Sequence, residues 1–470
     1  MGEILLINTN RETGPLPVLP LGLCQLASAV AQAGIPVELV DLCFPRKPLD
    51  HLRRAVARSH PRLVGVTIRN VDNCDFQAPI YYLPFVRDVI AAVREQAPGV
   101  PIVIGGTGTS LAPEQVLDEV GGDLAVAGPG DQVFVDLYRR LIEDGESPED
   151  LPRVHYGRPE DGESTPGPQF ARWLDLKPYR RWGVPLSVQS RRGCPFRCVY
   201  CEYAHIEGGA PYLLRDVDEV VEGIERSVRS TGRNVVEFVD STFNAPPSYT
   251  IELCEALARK RPAKAYHASG INPRFGGREV LEAMRDAGFT AIYCSPDAGA
   301  QGTIDGYRKD FTLDQLSAMA QDTSALGFPV LWSFIFGGPG ETPETAAETM
   351  RFVREQIDPF HAVMLTHRMR IYPGTALREL ADQEGYPPFA LDVREPGQFY
   401  LSAGIEQEQI DGLLAEAATS IGNVMSMAAS QAVMARLVQR IIGVTNWSYP
   451  NWKNYPKMRY QMKRFGAPWT

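Results

Sequence analysis

An alternation of short apolar strands with amphipathic helices runs through this chain twice and constrains its fold more than any other feature. The first round contains five predicted strands, which are Ile4–Thr9, Val37–Phe44, Leu63–Arg69, Ile102–Gly106 and Leu124–Gly128. Strands that are apolar on both faces and separated by helices are typical of a parallel sheet covered by helices. Residues 1–145 are therefore predicted to form a Rossmann/flavodoxin-like domain, which binds ligands at the carboxyl ends of its strands.

The second round begins at residue 185, after a stretch rich in Pro, Gly and charge at 146–184 that is predicted to be an interdomain linker. Six strand–helix units follow in residues 185–385 and indicate a partial (β/α)6 barrel of the TIM type. Residues 386–470 are predicted to be a helical C-terminal region that ends in an aromatic tail. The tail could close over the barrel, but a structural cap is the simpler interpretation.

Composition excludes several classes of function. The formal charge of −10 leaves no basic excess to neutralise phosphates, so nucleic-acid and anionic-membrane binding are not expected. No apolar run approaches the roughly 18–20 residues of a membrane helix, and the N-terminus has no signal-peptide pattern. Eight cysteines in 470 residues indicate reduced thiols, so the expected location is the cytoplasm.

Three of these cysteines, Cys194, Cys198 and Cys201, lie on one loop that follows the first barrel strand. Three thiolates leave one metal position open, which suits a cluster that binds a reactant. One alternative is a zinc site that His205 completes, and another is cysteines that only pack. Zinc fingers are small autonomous modules and packing thiols do not cluster in this way, so the reactive cluster is favoured.

Small and polar residues also gather after four strands of the first domain. The four loops are 8–10, 69–74, 105–110 and 128–131. Each alone is most simply a tight turn, whereas several at one sheet edge favour a bound ligand. The Gly-Gly-Thr-Gly spacing is not a dinucleotide fingerprint, so NAD is not expected.

The spacing of the three cysteines, with Tyr200 before the last, resembles the signature of radical S-adenosylmethionine enzymes over residues 185–380. In that family the thiolates hold a [4Fe–4S] cluster, whose free iron binds S-adenosylmethionine and cleaves it to a 5′-deoxyadenosyl radical. The resemblance makes Cys194, Cys198 and Cys201 cluster ligands and catalytic residues. The S-adenosylmethionine contacts that it implies are Tyr200, Asp240, Ser241, Ser295, Asp297, Lys309, Gly337, Gly338 and Gly340.

The first domain resembles the cobalamin-binding domain of the cobalamin-dependent (class B methyltransferase-like) members of that family. The matching stretches are 20–23, 69–72, 105–110 with 113–114, and 128–131. The implied cobalamin contacts are Thr9, Asn10, Arg69, Asn70, Gly105, Gly106, Thr107, Gly108, Ser110, Gly128 and Gly130.

Arg69 makes this version of the domain unusual. No histidine occurs before His51 to coordinate cobalt, and a guanidinium cannot do so. Arg69 is therefore expected beneath the corrin, where it would discourage lower-face coordination. In the alternative interpretation, Arg69 only pairs with an acidic neighbour such as Asp72.

Together the resemblances imply a cobalamin-dependent methyltransferase acting on a small molecule, with methyl transfer from methylcobalamin to a substrate radical, and specialised biosynthesis is expected. The alternatives are ring contraction, cyclisation or oxidation without methyl transfer, a cobalamin domain without function, and an electron-transfer or structural metal protein. An external donor of the flavodoxin or ferredoxin type is expected as a partner. Asn244, His367, Arg368 and Tyr372 are predicted substrate contacts from their position alone.

Overall fold

The structure, a computed structural model, describes residues 3–14, 16–158, 167–206 and 211–425. The side chains of residues 204, 205 and 425 are also outside the description. The predicted aromatic tail and the part of the predicted helical C-terminal region beyond residue 425 lie outside the described residues.

The first domain is a six-stranded parallel sheet in the order β2-β1-β3-β4-β5-β6. The strands are β1 (Ile4–Asn8), β2 (Val37–Asp41), β3 (Leu63–Thr67), β4 (Ile102–Gly105), β5 (Leu124–Ala127) and β6 (Val154–Tyr156). The helices are α1 (Leu21–Gln32), α2 (Pro48–Ser59), α3 (Leu83–Gln96), α4 (Thr107–Leu111), α5 (Pro113–Val120) and α6 (Asp131–Tyr138). Every residue of β1 is buried, as expected of a strand covered on both faces. The predicted flavodoxin-like class is confirmed.

The segment predicted as a linker is more structured than its composition suggests. It contains β6, which pairs with β5, and two short helices, α7 (Phe170–Trp173) and α8 (Leu176–Arg181). The high content of Pro, Gly and charge hid a three-residue strand at the sheet edge, where only Val154 is buried. Gly157 is needed beside it, because a Cβ there would lie 1.7 Å from the carbonyl oxygen of Pro129.

The second domain contains a seven-stranded parallel sheet in the order β7-β10-β11-β12-β13-β14-β17. Its strands and those of two short antiparallel pairs are β7 (Leu186–Val188), β8 (Arg191–Arg192), β9 (Leu213–Leu214), β10 (Val235–Phe238), β11 (Ala265–Ile271), β12 (Phe289–Asp297), β13 (Val330–Phe336), β14 (Ala362–His367), β15 (Met369–Arg370), β16 (Phe399–Tyr400) and β17 (Val424–Met425). β8 pairs with β9, and β15 pairs with β16. The predicted six-stranded partial barrel is present, and β17 adds a seventh strand beside β14.

Helices connect the strands of this second sheet. They are α9 (Tyr203–Ile206), α10 (Val217–Thr231), α11 (Pro247–Lys260), α12 (Arg278–Ala287), α13 (Gln301–Gly306), α14 (Leu313–Ala325), α15 (Pro343–Glu355), α16 (Ala376–Gln383) and α17 (Gln407–Ser420). α14 begins with a capping box, in which Thr312 accepts from the backbone of Gln315 and Gln315 from that of Thr312. No helix within the described ranges is long and apolar enough to cross a membrane.

The two faces of the barrel sheet differ in polarity. Val236 and Phe238 of β10 belong to the hydrophobic core. Side chains alternate across a strand, so Glu237 between them points to the opposite, concave face. Ser333 of β13 lies between the core residues Trp332 and Phe334 in the same way. The concave face therefore carries polar groups, whereas the interior of a closed TIM barrel is usually filled by branched apolar side chains.

Candidate active site

The three cysteines of the predicted cluster loop lie between β8 and α9. Cys194 is buried, and Cys198 and Cys201 are partly exposed. Burial raises the pKa of Cys198, and it raises the pKa of Cys201 to about 12 with help from Glu202 and from the other two thiols. All three thiols belong to the single loop between β8 and α9. Thiols held neutral by burial must lose protons when they bind metal.

The donor set of this loop fits an iron–sulfur cluster. All eight cysteines of the chain are free thiols, so no disulfide competes for the three on the loop. Three thiolates around one zinc ion would lie about 3.8 Å apart. The described residues contain no group of three Cys, His, Asp or Glu side chains positioned to hold one ion. A cluster takes its soft thiolate ligands on several irons, and the three cysteines of this loop are thiolate donors of that type.

Tyr200 anchors this loop to the end of β12. Its hydroxyl donates to Asp297, and Lys309 pairs with the same carboxylate. Lys309 Nζ also donates to the Tyr200 hydroxyl and to the Ser295 carbonyl, both at 3.2 Å. Burial lowers the pKa of Lys309, but Asp297 and Tyr200 outweigh burial and hold the pKa above its usual value. The structure thus brings four predicted S-adenosylmethionine contacts together, already bonded to one another.

Asp240 and Ser241 make their hydrogen bonds to protein. The carboxylate of Asp240 accepts from Ser190 N at 2.8 Å, Ser190 Oγ at 2.7 Å and Arg191 N at 3.2 Å, and its side chain is buried. Ser241 Oγ donates to the Gly193 carbonyl at 3.1 Å. Both residues hold the base of the cysteine loop. Protein donors already occupy the carboxylate of Asp240, and the contact of Asp240 and Ser241 with S-adenosylmethionine stays a prediction.

The glycines after β13 have packing reasons of their own. A Cβ on Gly338 would lie 2.3 Å from Tyr307 Cε1, and Gly338 N donates to the Tyr307 hydroxyl at 3.1 Å. Gly337 N donates to the buried carboxyl of Glu341, whose pKa burial raises to about 7. Gly340 has a positive φ of 77° and open space where a Cβ would stand. The sequence analysis missed Tyr307 and Glu341, which explain two of the three glycines.

The predicted cobalamin loops meet at the carboxyl edge of the first sheet. Thr9 Oγ1 donates to the Thr67 carbonyl at 2.6 Å, and Gly128 N donates to Ser110 Oγ at 2.8 Å. A Cβ on Gly106 would lie 2.6 Å from the Ile68 carbonyl oxygen, so this glycine lets two loops approach closely. Five further predicted contacts belong to the same loops. Asn10 follows Thr9, Gly105 ends β4, Thr107 and Gly108 lie in α4, and Gly130 precedes α6. The loops form one hydrogen-bonded layer.

Arg69 and Asn70 are exposed on this layer. Arg69 makes no hydrogen bond or ion pair with any group in the described ranges. Its alternative partner Asp72 is fully buried and is already bonded to Arg370 Nε at 3.0 Å and to the Tyr372 hydroxyl at 3.1 Å. The geometry therefore gives no support to a pair between Arg69 and Asp72 and leaves the guanidinium available to a ligand.

The predicted substrate contacts separate into two groups. Asn244 is buried, and both polar atoms of its side-chain amide bond to the backbone of Asn272. Its Nδ2 donates to the Asn272 carbonyl at 2.8 Å, and its Oδ1 accepts from Asn272 N at 2.9 Å. Tyr372 is bonded to Asp72 and lies 2.9 Å from Cys74 Sγ. Protein groups already occupy the polar atoms of these two residues, and their contact with a substrate stays a prediction.

His367 and Arg368 remain together at the end of β14, beside Phe76 of the first domain.

Glu237 is a candidate that sequence reasoning missed. It faces the concave side of the barrel, and its one hydrogen bond within the described residues comes from Ser269 Oγ at 3.4 Å. Burial raises the pKa of Glu237 to about 7. A buried carboxylate normally has a closer partner. The strand pattern Val235-Val236-Glu237-Phe238 could have revealed it, since a charge stands between buried residues.

Comparison with known proteins supplies the family. Residues 188–353 match the profile of the Radical SAM superfamily, and residues 9–138 match that of the B12 binding domain. An uncharacterised methyltransferase of Pyrococcus horikoshii is 26% identical over 386 residues, which cover 78% of this chain and 79% of the relative. Tryptophan 2-C-methyltransferase of Streptomyces laurentii is 24% identical over 461 residues, covering 81% and 75% of the two chains.

A solved structure has the same fold over almost the whole length. It is the radical S-adenosylmethionine methyltransferase TsrM of Kitasatospora setae, determined with cobalamin and a [4Fe–4S] cluster bound. The TM-score is 0.83 at 21% identity, and the match covers 99% of this chain and 100% of that one.

Proposed function

The chain belongs to the cobalamin-dependent radical S-adenosylmethionine enzymes, and on that premise we propose that it methylates a small molecule. Its cofactors are a [4Fe–4S] cluster, S-adenosylmethionine and cobalamin. When bound, they supply a radical that removes hydrogen from the substrate and a methyl group that replaces it. The protein's part is to hold these groups in fixed positions and to keep water away from them.

The observation that carries the proposal is how the two domains meet. Arg192, two residues before Cys194, pairs with Asp131 at 3.1 Å, and Asp131 directly follows the loop that contains Gly128 and Gly130. Asp72, three residues after Arg69, pairs with Arg370 just beyond the end of β14. The carboxyl edges of the two sheets therefore face one another, which is the arrangement that two cofactors acting on one substrate require.

The roles of individual residues follow from this arrangement. Cys194, Cys198 and Cys201 would hold the cluster, and the pair between Lys309 and Asp297 would keep the loop fixed through Tyr200. Arg69 would present a cation, and no coordinating atom, to the cobalt. Each assignment is part of the proposal.

The expected partners also belong to the proposal. An external one-electron donor of the flavodoxin or ferredoxin type would reduce the cluster. The acidic balance of the chain gives no support to nucleic-acid or membrane partners. The free state of all eight cysteines supports the cytoplasm as its location.

The test begins with protein reconstituted anaerobically with iron, sulfide and cobalamin. About four irons per chain and co-eluting cobalamin are expected. S-Adenosylmethionine with a ¹³C-labelled methyl group is then added with a reductant, and transfer of the label to bound cobalamin is measured with release of S-adenosylhomocysteine. L-Tryptophan, the substrate named for the Streptomyces relative, is the first acceptor to try. Formation of 5′-deoxyadenosine without any transfer of label would overturn methylation in favour of a rearrangement.

A further inference from the structure

His367, Arg368 and Gln407 form a small polar cluster at the carboxyl end of β14. Phe76, from the loop that follows β3, covers the cluster from the first domain. Its ring lies 5.5 Å from that of His367, and the Arg368 guanidinium stands 4.0 Å from the ring centre. The cluster therefore lies between the domains, at the edge of the barrel sheet from which the cysteine loop also emerges.

The hydrogen bonds of Gln407 determine the tautomer of His367. Arg368 Nε can only donate, so the atom of Gln407 that lies 2.6 Å from it must be the amide oxygen. The amide nitrogen then donates to Asp411 at 2.8 Å and to His367 Nδ1 at 3.0 Å. His367 Nδ1 is consequently the acceptor. A neutral imidazole with an accepting Nδ1 carries its proton on Nε2.

The Nε2–H group of His367 is a buried donor with no hydrogen-bond acceptor in the described part of the chain. The whole residue is 8% exposed, and burial lowers the pKa of the ring, which keeps it neutral near pH 7. An aromatic face such as that of Phe76 is a weak acceptor and does not replace a hydrogen bond. A buried donor without a partner is costly, which makes it a marker of a missing ligand.

Arg368 adds a charge beside this donor. Among the described residues its guanidinium makes a hydrogen bond only through Nε, and the residue as a whole is partly exposed. Neither nearby carboxylate forms an ion pair with Arg368; Asp411 accepts from Gln407, and Asp75 accepts from the backbone of Gln77 at 2.9 Å. A cation and a neutral N–H donor side by side match the two oxygens of a carboxylate.

We propose that His367 and Arg368 form a subsite for a carboxylate group of the substrate. This inference rests on the proposed function, because it assigns the bound group to the molecule that is methylated. It narrows the substrate to a small carboxylic acid. The carboxylate would be held at the carboxyl end of β14, and the rest of the molecule would extend toward the loops of the first domain.

The test uses the reconstituted holoenzyme labelled with ¹⁵N-histidine. The resonance of His367 is identified by its loss in His367→Gln, and the tautomer is read from which nitrogen carries hydrogen. We expect Nε2–H. Formate, the smallest carboxylate, is then titrated to 100 mM, and a saturable shift of the Nε2–H resonance is expected. Arg368→Gln should weaken formate binding at least ten-fold, whereas Arg351→Gln, on the exposed face of α15, should leave it unchanged.

Several results would overturn the proposal. They are an Nδ1–H or doubly protonated ring, no saturable shift with formate, and equal binding of formamide, which has no charge. S-Adenosylmethionine is added in a second arm. Displacement of formate by it would show that the subsite holds the cofactor's own carboxylate and would overturn the assignment to the substrate. These readouts need no turnover, so a failure of methyl transfer leaves them unaffected.

Discussion

The buried pair between Asp72 and Arg370 gives the sharpest prediction for stability. The two residues lie 298 positions apart and are 0% and 5% exposed. Asp72→Asn keeps the size of the side chain and removes its charge. The Oδ1 contacts with Cys74 N and the Tyr372 hydroxyl can survive, but Arg370 Nε loses its anionic acceptor at 3.0 Å.

The size of the effect follows from what remains around Arg370. Breaking a buried pair by removing one partner costs about 3–5 kcal/mol, because the remaining charge stays uncompensated. Arg370 keeps hydrogen bonds to Gln398 Oε1 at 3.0 Å and the Ala390 carbonyl at 2.8 Å, and its guanidinium carbon stays 5.1 Å from the ring centre of Phe389. These contacts favour the lower limit, about 3 kcal/mol. For domains of this size that corresponds to a fall in Tm of roughly 6–12 °C.

Calorimetry of the full chain measures this effect against a matched control. Asp118 pairs with Arg153 at 2.5 Å on the surface, with side chains 66% and 54% exposed. Such exposed pairs contribute little to stability, so Asp118→Asn should leave Tm nearly unchanged. The double variant Asp72→Asn with Arg370→Met should recover part of the loss, because it leaves no unpaired charge and keeps the two contacts of Oδ1. An Asp72→Asn shift no larger than that of Asp118→Asn would refute the reasoning.

Three further predictions concern the candidate site. The folded-state pKa of Glu237 is raised to about 7, so ionisation of this carboxyl opposes folding and the protein loses stability as the pH rises toward and through that value. Glu237→Gln should therefore stabilise the protein by up to about 3 kcal/mol at pH 8 and by about 1 kcal/mol or less at pH 5. Urea unfolding at the two pH values measures this difference, and an equal effect at both would contradict it. Cys198→Ala should abolish iron loading and 5′-deoxyadenosine formation but leave cobalamin binding intact, because the cobalamin loops belong to the other sheet; loss of both cofactors would count against separate sites. Arg69→His should introduce nitrogen hyperfine splitting into the EPR spectrum of bound cob(II)alamin, because a neutral imidazole has a lone pair to give to cobalt. Arg69→Lys should introduce none, since its ammonium group has no lone pair. Identical spectra for the two variants would show that residue 69 does not lie next to the cobalt.

The sequence analysis predicted the fold well because the relevant signals are local. Apolar strands such as β1 and β3 are buried on both faces, and this property is visible in the residues themselves. β6 was missed because only one of its three side chains is buried, so its place in the sheet depends on pairing with β5. A strand held mainly by backbone hydrogen bonds leaves little trace in composition.

The site residues show the same limit more clearly. Sequence position placed Asp240 and Asn244 at strand ends, which is correct, but it could not show that Ser190 and Asn272 would use their polar atoms. The partners lie 50 and 28 residues away, in the segments that follow β7 and β11. Which polar group remains free for a ligand is decided by such long-range pairing. His367 is distinguished from Asn244 only when every hydrogen bond around it is known.

The interdomain pairs and the predicted cofactor loops occupy the same short segments, and this links stability to cofactor binding. Asp72 lies three residues beyond Arg69, and Arg192 lies two residues before Cys194. A change that releases Asp72 from Arg370 frees the loop that carries Arg69, so Asp72→Asn should weaken cobalamin binding as well as lower Tm. Asp118→Asn, on α5 and away from these loops, should change neither appreciably. A variant that loses stability while its cobalamin affinity and spectrum stay native would show that the pair joins the domains without positioning Arg69.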